Sequence, residues 1–123
     1  MQDRSPNLRV LVVGVERSDV DGLTAFLRLH NFDAHSAYSD GEAMDWCGLH
    51  KPQAVIAEMD LPLMTGAQLA YAIIRRQPRC KVLIISAQSS LAGPIKVQAG
   101  KHSFPLYPKP VQPDQILDFL AAV

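Results

Sequence analysis

Three polar side chains stand at the ends of apolar runs and would meet if those runs lay side by side. Glu58 closes Ala54–Glu58 (AVIAE), Ser86 closes Lys81–Ser86 (KVLIIS), and Lys109-Pro110 follows a run near Phe104 to Tyr107. A carboxylate, a hydroxyl and an ammonium delivered by separate strands make an anion-handling set. Short uncharged runs of this kind read as strands buried on both faces of a parallel sheet. A carboxylate leaving the end of such a strand sits where open α/β sheets place their ligand site. Taken singly, a Ser after a strand or a Lys-Pro is an ordinary turn; joint order and spacing carry the functional reading. A fourth piece, Gly14-Val15-Glu16, ends the first apolar run and brings one further carboxylate.

Positioning these groups requires alternating strands and helices, and the periodicity supplies them. Leu8 to Val13 reads as a first strand, followed by a helix capped by Ser18 or Asp19, with Val20, Leu23, Phe26, Leu27 and His30 at three-to-four spacing. A half-polar strand from Asp33 to Ala37 fits a position near a sheet edge. Asp40 caps a short helix through Ala43, Met44 and Cys47 that closes before Pro52. The third strand, Ala54 to Glu58, leads through a loop with Pro62 and Gly66 into a helix from Ala67 to Arg76, with Leu69, Ile73 and Ile74 inward. After Lys81–Ser86 comes a helix near Leu91 to Ala99, weakened by Gly93 and Pro94, since proline inside a helix costs about 3 kcal/mol. The strand near Phe104 to Tyr107 follows, and Pro113 opens a last helix carrying Ile116, Leu117 and Leu120. Five β/α units predict a doubly wound α/β sandwich with helices on both faces of the sheet.

At 123 residues the chain makes one domain, expected over residues 8–123 after a tail of residues 1–7. A net charge of zero argues against nucleic acid or a membrane surface as its partner. No apolar stretch approaches the roughly 20 residues that span a bilayer, and MQDRSPNLR lacks the apolar core of a signal peptide. Cys47 and Cys80 are too few for a disulfide framework and read as reduced thiols, which places the protein in the cytoplasm. His30, His35, His50 and His102 lack metal-ligand spacing, Trp46 reads as partly buried packing, and no glycine-rich nucleotide loop is present.

From Leu8 to Leu120 the chain resembles the response-regulator receiver domain of two-component signalling. The resemblance rests on Leu11 to Val13, the third strand with Pro62 and Gly66, Ser86-Ala87, Ala99-Gly100 and Lys109-Pro110. It implies a flavodoxin-like fold whose five-stranded parallel sheet has the order 2-1-3-4-5. It further implies an aspartate at the Glu58 position that accepts a phosphoryl group from a histidine kinase. A pair of acids after the first strand would hold Mg²⁺, Ser86 would bond the phosphate, Lys109 would pair with it, and the Lys109-Pro110 peptide bond would be cis. Partners would dock on the face of the fourth helix, fifth strand and fifth helix, where Leu91, Lys96 and Gln115 fall.

The departures from that pattern matter as much. Gly14 and Val15 occupy the acid-pair positions and offer no side-chain oxygen, leaving Glu16 beside them. The acceptor is Glu58, one methylene longer than aspartate. Two extra residues lie between Gly100 and Lys109, so Leu106 falls on the aromatic switch position, with Phe104 and Tyr107 flanking it. Phosphoryl transfer to a carboxylate depends on a metal, and Mg²⁺ takes oxygen ligands; Mg²⁺ binding is therefore expected to be lost or weak, with no other cofactor. The expectation is an atypical receiver, neither phosphorylated nor enzymatic, that binds signalling proteins while Glu58 either mimics a phosphorylated aspartate or simply pairs with Lys109. The alternatives are a working phosphorelay receiver using Glu58 or Asp60 by an unusual route, and an unrelated small α/β enzyme.

Overall fold

The computed structural model describes residues 8–87 and 93–123. In chain order the elements are β1 (Arg9–Val13), α1 (Arg17–Leu29), β2 (Asp33–Ala37), α2 (Asp40–His50), β3 (Ala54–Glu58), α3 (Gly66–Arg76), β4 (Lys81–Ser86), β5 (Ile95–Ala99), β6 (His102–Pro108) and α4 (Pro113–Ala121). They build one six-stranded sheet in the order β2-β1-β3-β4-β6-β5. Every neighbouring pair is parallel except β5 with β6. The five parallel strands reproduce the expected 2-1-3-4-5 order, with β6 in the fifth place.

The apolar runs β1, β3 and β4 occupy the middle, and their side chains alternate between two cores. Leu11, Val13, Val55, Ala57 and Ile84 pack under α2 and α3 with Cys47, Leu69 and Ile73. Val10, Val12, Ile56, Leu83 and Ile85 pack under α1 and α4 with Val20, Leu27, Ile116 and Leu120. Burial on both faces is what demands uninterrupted apolar sequence in the central strands.

The last helix opens at Pro113 as expected, whereas the caps or starts of the other three differ from expectation by a residue or more. Glu16 stands at the N-cap of α1, which places Asp19 in the first turn instead of at the cap. Ser39 caps α2 by accepting the Glu42 backbone N–H at 3.1 Å. Thr65 and Gln68 form a reciprocal capping box on α3.

The helix expected over Leu91 to Ala99 is corrected. Leu91 lies outside the described residues, and Ile95–Ala99 is a strand that forms a hairpin with β6, Val97 opposite Phe104 and Ala99 opposite His102. Among the described residues the sheet consequently has six strands, not five. Ile95, Val97 and Ala99 alternate with Lys96 and Gln98, which is strand periodicity. Gly100 and Lys101 make a two-residue turn with Gly100 at φ +62°, a left-handed position suited to glycine at the start of a hairpin loop. The extra residues before Lys109 are absorbed in this hairpin.

Candidate functional site

The chain leaves β1 toward β2 on one side and re-enters through β3 on the other, so a crevice opens between the carboxyl ends of β1 and β3. Glu58, the last residue of β3, stands in it with its side chain 21% exposed. Its carboxylate accepts directly from the Lys109 ammonium. Lys109 is fixed from behind, because its backbone N–H donates to the Ser86 carbonyl at 2.8 Å and ties the loop after β6 to the end of β4. The Lys109-Pro110 peptide bond is cis. Gly66 lets the β3–α3 loop fold back onto the strand end: its N–H reaches the Met59 carbonyl at 2.7 Å. A Cβ at Gly66 would lie 2.4 Å from the Glu58 carbonyl oxygen.

Lys109 has a second acidic neighbour that the sequence reading passed over. Asp19 Oδ2 lies 3.7 Å from Nζ. Partial burial of Lys109 works against its charge, but the hydrogen bond and charge of Glu58, joined by Asp19, outweigh it and raise its pKa above the ordinary lysine value. The available signal for Asp19 was its place in the first turn of a helix that follows a sheet strand. Reading it as a cap pointed it at the helix backbone instead.

The remaining candidates divide between the crevice and elsewhere. Gly14 is buried against it, and a Cβ there would come within 2.8 Å of Val20 Cγ2 and 2.9 Å of Glu58 Cγ. The Glu58 stem and Val20 thus crowd the space beside Gly14. Val15 and Glu16 are exposed at the start of α1. Asp60 is exposed beyond the strand and bridges to Thr65. Ser86 is buried at the end of β4, in register with Pro108. Phe104 and Leu106 are buried toward α3, whereas Tyr107 packs on the opposite face toward α4.

Gly14 and Val15 leave the end of β1 without a side-chain oxygen for Mg²⁺. The ion takes oxygen ligands in octahedral array, and Glu58 is engaged by an ammonium. Among the described residues no group of three or more acidic, histidine or cysteine side chains is placed to hold a metal.

Comparison with known proteins bears on this geometry. Residues 10–121 match the response regulator receiver domain family. The chain belongs to that family. The transcriptional regulatory protein PrrA of Mycobacterium bovis is 28% identical over 83 residues, covering 68% of this chain and 36% of PrrA. The chain therefore spans about a third of the length of the curated relatives it matches over that alignment. Among solved structures, the CheY-like receiver domain of Methanospirillum hungatei JF-1 superposes with a TM-score of 0.77 at 20% identity, covering 94% of this chain and 92% of that one. The two-component transcriptional regulator AraC of Clostridium phytofermentans ISDg gives 0.74 at 26% identity, covering 94% and 90%. The protein is a receiver domain of two-component signalling, and no helix among its described residues is long and apolar enough to cross a membrane.

Proposed function

We propose that this receiver signals without accepting a phosphoryl group, by presenting a protein-docking surface held in one conformation. The observation that carries this is the Glu58–Lys109 ion pair beside Gly14 and Val15. Transfer to a carboxylate requires a metal to neutralise the transferring group, but β1 brings no carboxylate to share one with Glu58, and Asp19, the other acid of the crevice, stands on α1 against Lys109. Glu58 is also a methylene longer than aspartate, and misplacement by about 1 Å can lower a rate about 100-fold. A phosphorylated aspartate would present a charge near −2 and three acceptor oxygens. Glu58 brings one negative charge and uses it on Lys109, so the pair is a fixed feature of the site. Nothing then shifts the domain between two states, because a population moves only when something binds its states differently.

The surface for a signalling partner is the one built by β5, β6 and α4. Lys96 is exposed on it, whereas Ile95, one residue earlier on the strand, is exposed on the α3 side. Gln115 serves α4 internally, its side chain accepting the Gln112 N–H at 2.9 Å, so Lys96 is the better residue to probe. Neither nucleic acid nor a membrane is a partner of this domain in this reading, and its place is the cytoplasm. The test is incubation with acetyl phosphate and Mg²⁺, read by intact mass and amide NMR. Unchanged mass and spectrum are expected. A phosphoryl adduct on Glu58 or Asp60 would overturn the proposal.

A further inference from the structure

A cavity of about 520 Å³ opens at the same sheet edge and runs inward between α1 and α4. Its depth is walled by Leu23 of α1, Ile56 and Ile85 of the sheet, and Val111 and Ile116 around α4. Asp19, Glu58 and Lys109 also line it, and apart from these three every lining side chain is apolar. They are its exposed end: Asp19 is 61% and Lys109 31% exposed, while Ile56, Ile85 and Ile116 are buried. Size, concavity and an apolar wall with a few convergent polar groups are the properties of small-molecule sites. Its position at the topological switch point is where open α/β sheets bind ligands.

Charge selects the class of ligand. Two carboxylates flank one ammonium, which is already paired with both. Even against the half positive charge contributed by the first turn of α1, the wall stays negative. A ligand carboxylate would be the third acid around a single lysine, whereas a cation would neutralise the excess. We propose that this cavity binds a small organic cation, an aliphatic or cyclic amine whose ammonium lies against Asp19 and Glu58 and whose hydrocarbon body fills the space between α1 and α4. This goes beyond the proposed function, since cavity and charge are there whether or not the domain can be phosphorylated.

The test is titration of the intact protein, methyl-labelled at Ile, Leu and Val, with cyclohexylmethylamine and its matched alcohol and carboxylate, followed by NMR. The amine should shift the methyls of Leu23, Ile56, Ile85, Val111 and Ile116 saturably and bind more tightly than either analogue. Asp19→Asn removes an exposed charge and should weaken the amine roughly fivefold, leaving the alcohol unchanged. Val111→Phe, which fills the cavity from a half-buried loop position, should abolish binding of all three. Absence of saturable shifts, a carboxylate that binds as well as the amine, or an amine affinity indifferent to Asp19→Asn would overturn the inference.

Discussion

Replacing Lys109 by methionine keeps much of the side chain's length and removes its charge, leaving Glu58 without its ammonium. Fully exposed pairs contribute about 0.2–1 kcal/mol, and breaking a deeply buried pair costs about 3–5 kcal/mol. The Glu58 and Lys109 side chains are 21% and 31% exposed, between these limits, so Lys109→Met should cost about 2 kcal/mol. Asp19 adds little, being mostly in water. Unfolding entropy is about 2.1 cal/mol/K per residue, so for 123 residues the melting temperature should fall by about 8 °C. Glu58→Gln combined with Lys109→Met should recover much of the loss, because it removes the stranded charge. The pH dependence carries a matching signature. Lys109 titrates above its ordinary 10.5 in the folded protein. The pair's contribution is therefore complete below the unfolded pKa and disappears as pH rises through the folded one. Urea titrations of wild type and Lys109→Met should converge over that alkaline window. If Lys109→Met unfolds at the wild-type midpoint near neutral pH, or the double variant loses the sum of the two single losses, the two groups are not coupled and the reasoning fails.

Three further outcomes follow from the same packing. Gly14→Asp places a Cβ within 3 Å of Val20 and Glu58 and should cost about 1–3 kcal/mol in urea denaturation; an unchanged midpoint would show that the crevice yields freely. Gly100→Ala meets both a left-handed backbone and the Tyr71 ring, 2.6 Å from the new Cβ, and should lower stability by about 1–3 kcal/mol, with faster amide exchange in β5 than in β3. Cys47 and Cys80 are buried thiols pushed up to about 11 and about 12 by desolvation, so iodoacetamide at mildly alkaline pH should alkylate them only after unfolding, as intact mass would reveal.

Much of the fold was legible because a strand buried on both faces leaves little freedom in sequence. The ranges of β3 and β4 were read to the residue from AVIAE and KVLIIS. Once those strands are neighbours, Glu58 and Ser86 must emerge at one edge, and the loop after β6 brings Lys109 to it. The error at Leu91 to Ala99 came from continuing the β/α alternation through a segment whose alternating side chains and Gly100-Lys101 turn already spelled a hairpin; a period of two over five residues is a weak signal until a partner strand is known. Which face each of Phe104, Leu106 and Tyr107 takes depends on pairing register, since successive strand residues point to opposite sides. Asp19 needed the exact start of α1, because one helical residue turns a side chain by about 100°. The cavity was beyond any reading of local pattern: Leu23 and Ile116 mark apolar helix faces wherever those helices lie, and the space between them is set by how α1 and α4 settle on a twisted sheet.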